Sequence, residues 1–283
     1  MIVGAADRMV TAGDLEYEPP ESKIYGFNSS TVAMFAGTVT DHQMIFRATL
    51  GRIGQQRASD VKTIADFYAN ELASLRRQRN EARVLSPIGL TFETFIARQQ
   101  EMSEHFIDEV FDRLDSPEAD VSVDTIIAGI DGHGPNLLIV RDPGIVTDFS
   151  ATGYAAVGYG SGHALSRFRF DQYNVHWPAA KAMLLAYRAK KFAQAAPGVG
   201  TATDMFAVLP NVGLQFIDPP VEGMIMNAYM RGVKAEKRAW DTAYAGISEQ
   251  LGESIRKAEE AQVRQQAGAA VTTEAGTRGA APG

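Results

Sequence analysis

Residues 23–41 read KIYGFNSSTVAMFAGTVTD. Two short runs rich in apolar and aromatic residues, Lys23–Phe27 and Thr31–Ala36, flank Asn28-Ser29-Ser30. Asn and Ser side chains bond back to nearby backbone and favour tight turns, so this stretch predicts an antiparallel hairpin. Thr40 and Asp41 then supply N-capping residue types, which predicts a helix soon after the second strand.

The neighbouring sequence extends the pattern. Ile2–Ala6 reads as a short buried strand. Val61, Ile64, Phe67 or Tyr68, Leu72 and Leu75 recur at helical spacing. The cluster Arg76-Arg77-Gln78-Arg79 closes that helix, where positive charge suits a C-terminus, and it reads as a solvated helix end. A second helical stretch carries Phe92, Phe95, Ile96, Met102, Phe106, Val110 and Leu114, a stripe that reads as core. Thr125–Ile130 and Asn136–Val140 are two strands around the turn 131–135, DGHGP. Pro178 to Ala195 is a helix, with Ala180, Met183, Leu184 and Tyr187 on one face and Pro197-Gly198 as its stop. Thr203–Leu209 is a last strand. Short strands beside grouped helices predict an α+β fold in layers, with helices outside and sheets inside.

No internal repeat is visible. From about Glu253 the chain turns Glu-, Lys-, Gln- and Ala-rich, and it ends on QQAGAAVTTEAGTRGAAPG. Such a segment buries too little apolar surface to offset its ordering entropy. The predicted organisation is therefore one domain over 1–252, then a helical extension and disordered tail over 253–283.

The chain has 283 residues, 27 Lys and Arg against 34 Asp and Glu, a net charge of −7 and no cysteine. An acidic surface repels phosphate backbones and anionic lipid, so neither nucleic acid nor a membrane is expected as a partner. The absence of cysteine removes disulfides, zinc–thiolate sites, iron–sulfur clusters and a thiol nucleophile. It also fits a reducing compartment, and the expected location is cytoplasmic. The opening residues lack the basic n-region of a signal peptide. His42, His105, His133, His163 and His176 show no metal-ligand spacing, so no metal and no cofactor is expected. Gly158–Gly162 is neither a nucleophile elbow nor a dinucleotide fingerprint, because Tyr159 and His163 stand where each motif needs glycine.

Three stretches in order, AADRMVTAG at 5–13, KIYGF at 23–27 and MFAGTVTD at 34–41, resemble the opening of proteasome beta subunits and the related bacterial ATP-dependent threonine protease core. The later stretches IIAGIDGHGPNLLIVRDPG at 126–144 and YAAVGYGSGHAL at 154–165 resemble the same family. The resemblance spans most of residues 1 to 215. It implies a four-layer αββα sandwich of the N-terminal-nucleophile (Ntn) hydrolases, two antiparallel sheets between helix layers. It implies peptide-bond hydrolysis in protein degradation, on peptide or unfolded protein, by a homo-oligomeric or hetero-oligomeric ring.

In that family an N-terminal Thr hydroxyl attacks the carbonyl, a Lys supplies positive field and aids proton transfer, an Asp fixes the Lys, and a Gly N–H stabilises the oxyanion. By resemblance Asp7, Lys23 and Gly37 take the last three roles, with Asp7 and Lys23 at the family's separation of 16 residues. Thr11 falls where main chain clamps an extended substrate. Val10, Phe35 and Val39 fall where the family lines its side-chain pocket, which implies an apolar preference.

The departures are as specific. The nucleophile is expected about ten residues before Met1, together with the first strand. Tyr159 stands where the family has a Ser near the N-terminal amine, with Ser161 beside it in sequence. Ala196 and Val199 stand where the family has an Asp and a Ser. These residues carry the alternative expectation, a catalytically inactive structural subunit or pseudoenzyme of the same fold. A small-amide hydrolase is a third reading, which rests on fold analogy alone.

Overall fold

The structure is a computed structural model that describes residues 1–12, 15–116 and 120–277; side chains are described except at 12 and from 265 onward. The chain forms two compact units, residues 1–226 and 227–283.

The first unit is α+β and all its strand pairs are antiparallel. Strands β4 (Ile24–Gly26), β5 (Thr31–Gly37), β6 (Val123–Asp131), β7 (Gly134–Arg141) and β8 (Ile145–Asp148) form one sheet in that order. A second sheet has the order β1 (Ile2–Ala6), β9 (Asp204–Leu209), β10 (Gly213–Phe216). A short separate hairpin pairs β2 (Val10–Ala12) with β3 (Leu15–Tyr17). The turn at 28–30 forms as its residues require: Asn28 Oδ1 accepts the Ser30 N–H at 2.8 Å.

The large sheet is buried on both faces, which explains its near-continuous apolar strands. Side chains alternate along each strand. Ala33, Phe35, Ile127, Leu138 and Val140 pack with α1 (Val39–Gln56) and α2 (Val61–Asn80) through Ile45, Ile64, Tyr68 and Leu72. Val32, Ile126, Ala128 and Ile139 face the other way, onto Phe206 and Val208 of the smaller sheet. Helix α5 (Ser161–Phe170) packs with α6 (Ala179–Ala193) through Ala164, Ala189 and Ala193, and α6 lies along β1.

Several elements differ from their sequence reading. Helix α1 starts at Val39, one or two residues early. Thr38 is its N-cap residue, held because its N–H donates to the Ser122 carbonyl at 2.8 Å. The basic cluster in the last turns of α2 is no simple solvated end. Arg79 forks onto the buried Asp41 carboxylate, and Arg76 reaches Asp142 at 2.6 Å. The helix also continues as a π-helical turn, Glu81–Leu85.

The stripe from Phe92 to Leu114 splits into α3 (Phe92–Ala97) and α4 (Glu104–Leu114). Met102 is extended, and Ser103 caps α4 by accepting the Phe106 N–H at 3.3 Å. The buried side of α6 runs through Leu185, Ala186, Ala189 and Lys190, and Ala180 is exposed. Helix α7 (Pro219–Thr277) begins in the first unit and continues through the second. Glu253 falls inside it, and residues 278–283 lie outside the described residues. No helix among the described residues is long and apolar enough to cross a membrane.

Candidate functional site

Asp7 follows β1 by one residue, and Lys23 precedes β4 by one residue. The two belong to different sheets, and the packing of one sheet on the other brings these strand ends together. Lys23 Nζ donates to Asp7 Oδ1 at 2.7 Å, with both side chains largely buried, at 16% and 14% exposure. The other carboxylate oxygen, Oδ2, accepts the Gly200 N–H at 2.7 Å. The lysine is thus held by a carboxylate that is itself held by backbone. A charge-assisted pair fixed at both ends keeps one orientation.

This pair lies on a cleft of about 1300 Å³. Every residue to which the resemblance gives a catalytic or substrate-binding role lines it: Asp7, Val10, Thr11, Lys23, Phe35, Gly37 and Val39. They do not contribute alike. Thr11 is exposed on β2, and Val10 is half-buried beside it. Phe35 is 4% exposed, with its ring stacked on His42 at 3.9 Å between centroids, so it shapes the cleft from within the core. Val39 opens α1 and packs against the same core.

Gly37 ends β5 with φ at +108°, where a side chain is strained. A Cβ there would meet the Ser122 carbonyl oxygen at 2.0 Å. The position therefore demands glycine for the close approach of two backbones.

The cleft also runs beside β1, all of which lines it together with Met1, Met34, Ala128, Ala186 and Ala189. In its sheet β1 pairs only with β9, so its other edge is free among the described residues. The lining of the cleft therefore includes both a free strand edge and the Lys23–Asp7 pair.

A second lysine comes from α6. Lys190 is 6% exposed and lines the cleft; its Nζ donates to the Gly200 carbonyl at 2.8 Å. Burial, with some repulsion from Lys191, pushes its pKa down to about 8, against the attraction of Asp7, Glu18 and Asp204. Gln194 Nε2 donates to the same carbonyl at 3.0 Å. Glu18 accepts from Thr201 Oγ1 and from the Ala202 N–H, both at 2.9 Å. Arg8 forks onto Asp204. The loop 196–203 is tied at every turn to the strand ends around Asp7.

Gly200, Lys190 and Gln194 are the residues that sequence reasoning passed over. One signal was present: Lys190 stands four residues after Ala186 and three before Ala193, on the apolar face of its helix. Gly200 offered none, because its role is carried by main chain.

The residues that depart from the family pattern are also placed. Tyr159 is 89% exposed at the cleft rim. Ser161 opens α5, its N–H donating to the Gly158 carbonyl at 3.0 Å. Ala196 is buried, and Val199 lines the cleft as an apolar side chain. The hydrogen bonds of the Lys23–Asp7 pair go to each other and to Gly200, and among the described residues none goes to a hydroxyl.

Of the five histidines, His42 is fully buried. Its Nδ1 bonds the Tyr68 hydroxyl at 2.8 Å, and that hydroxyl bonds Thr125 Oγ1 at 2.8 Å. Among the described residues no group of three or more His, Asp or Glu could hold a metal.

No protein-family model matches this chain, and no curated protein matches its sequence.

Proposed function

We propose that this chain is a proteasome-like subunit that hydrolyses peptide bonds, built as a four-layer αββα Ntn-hydrolase sandwich. Its nucleophile would be the Thr at the head of a strand that precedes β1 and adds to the free β1 edge. One observation carries the reading: that edge lines the same cleft as a lysine held by Asp7, one residue beyond the end of β1. A strand laid there would satisfy the unpaired edge. Its first residue would then reach the positive end of the pair.

The roles are those that the family resemblance implies. Lys23 supplies positive charge near the attacking hydroxyl, which a neutral alcohol needs at ordinary pH. Asp7 keeps that ammonium in place. The Gly37 N–H is the oxyanion donor, on a backbone that admits no side chain. The hydroxyl oxygen bonds to the carbonyl carbon as its proton leaves with the aid of Lys23, that proton passes to the amine as the peptide C–N bond breaks, and water then hydrolyses the ester, releasing the acid and restoring the hydroxyl. Thr11 on β2 offers main chain to an extended peptide, and Val10 offers it an apolar contact. The setting that fits is a homo-oligomeric or hetero-oligomeric ring in the cytoplasm.

The test is an epoxyketone or β-lactone directed at N-terminal threonine, applied to protein from its native source and read by intact mass. One covalent adduct at the first residue, with loss of fluorogenic peptide cleavage, is the expected result. An unmodified chain whose mass begins at Met1 would overturn the catalytic reading.

That outcome would favour an inactive subunit of the same fold, for which there is a specific motive. Ala196 and Val199 carry neither the carboxylate nor the hydroxyl that the family places around its terminal amine, and Tyr159 puts an 89% exposed phenol where the family has a Ser.

A further inference from the structure

The second unit is helical and carries an apolar seam of its own. Met230, Val233, Trp240, Tyr244, Ile247 and Leu251 are all exposed, between 40% and 74%. With Lys237 they follow one another at spacings of 3, 4, 3, 4, 3 and 4 residues. That is a seven-residue repeat held over three heptads, the period that keeps one stripe facing a partner helix.

The rest of this helix gives it little stability alone. Gly232, Gly246 and Gly252 lie within it, each about 1 kcal/mol poorer than alanine in a helix. Helices in proteins draw most of their stability from packing an apolar face. A seam this exposed on a helix this rich in glycine needs a cover.

The charges beside the seam select the cover. In heptad terms Lys237 is an a residue, Trp240 a d residue, Lys234 and Asp241 are e residues, and Glu236 is a g residue. Two parallel copies would set Lys237 against the partner copy's Lys237. They would also set Glu236 against the partner copy's Asp241, like charge on like charge. Two antiparallel copies, centred between Arg238 and Ala239, do the reverse. Lys237 then faces the indole of the partner copy's Trp240, and Lys234 faces the partner copy's Asp241. Met230 meets Ile247, and Val233 meets Tyr244. A lysine over an indole face is a favourable contact, and a single polar a residue sets register and orientation.

We infer that residues 230–251 form an antiparallel two-stranded coiled coil with the same segment of a second copy of this chain. The seam is separate from the cleft, and the pairing holds whether or not the cleft is catalytic.

The full chain has no cysteine, so one introduced cysteine takes one spin label. Thr242→Cys and Glu249→Cys sit on the outward side of the paired helix. At the helical rise, antiparallel pairing offsets the two labels along the axis by about 10 Å at 242 and about 30 Å at 249. Parallel pairing gives the same separation at both. Dipolar distances in the full chain should therefore be longer at 249 than at 242 by more than about 10 Å.

Ile247→Asp should abolish both distances while circular dichroism of the first unit persists. Lys234→Asp should weaken pairing at least tenfold by sedimentation, and Lys234→Asp with Asp241→Lys should restore it. A monomer at tens of micromolar, equal distances at the two sites, or an assembly indifferent to Ile247→Asp would overturn the inference.

Discussion

Gly200 donates its N–H to Asp7 at 2.7 Å across a separation of 193 residues. Through that bond a loop from the end of the first unit holds the carboxylate that holds Lys23. The candidate site is therefore assembled by the fold from both ends of its domain, and its parts respond together when one is changed.

Lys23→Ala leaves the Asp7 carboxylate largely buried with one neutral donor. A stability loss of about 1–3 kcal/mol is expected, since removing one partner costs more than the pair contributes. Urea unfolding measures it. Asp7→Asn should cost a similar amount. Under the proposed function either change should lower peptide turnover at least about a hundredfold, with a smaller effect on KM. Equal turnover in the variant and the parent would remove Lys23 from the mechanism.

Gly37→Ala should destabilise the first unit by about 2–4 kcal/mol, because the new Cβ meets the Ser122 carbonyl at a backbone angle that side chains rarely adopt. Thermal unfolding reads this directly. A melting temperature unchanged by the substitution would mean that β5 and Ser122 do not approach as closely as described.

Lys190 gives a pH signature. Its folded pKa is about 8, below the usual 10.5, so between those values the unfolded chain binds more protons at this site. Stability from this residue therefore rises as pH increases from 8 to 10.5. Lys190→Met should flatten that rise relative to the parent. It should also loosen residues 198–201, visible as faster amide exchange at Gly200. Parallel pH curves for the two proteins would contradict the assignment.

His42 gives the same sign of dependence in acid. Burial pushes its folded pKa down to about 3 from 6.5, so the unfolded chain takes up the proton first. Stability should fall as pH drops from 6.5 towards 3. His42→Phe keeps the stack on Phe35 and removes the titrating group. The difference between variant and parent stability should shift in favour of the variant across that window. A constant difference from pH 7 to pH 4 would refute it.

The hairpin at 24–37 was legible because strand alternation and the Asn28 turn are local properties of neighbouring residues. The same holds for β6, β7 and the stripe on α2, whose residues Val61, Ile64, Tyr68 and Leu72 are all buried. The break between α3 and α4 was hidden because an apolar stripe continues through it; only Ser103 and the extended Met102 mark the stop. The heptad seam on α7 was equally present in the sequence. Its meaning rests on exposure, which the spacing alone does not supply.

For the site itself, family resemblance picked out Asp7, Lys23, Gly37, Val10, Thr11, Phe35 and Val39, and all seven line one cleft. The amino-acid sequence by itself determined the strand pattern, the turn chemistry and the absence of thiol chemistry, which depend on residue type and near neighbours. Only the tertiary structure decided that Gly200 and Lys190 complete the surroundings of Asp7, that Phe35 is buried against His42, and that β1 has a free edge among the described residues. Those are contacts between distant segments, and they exist only once the two sheets pack and α6 closes over them.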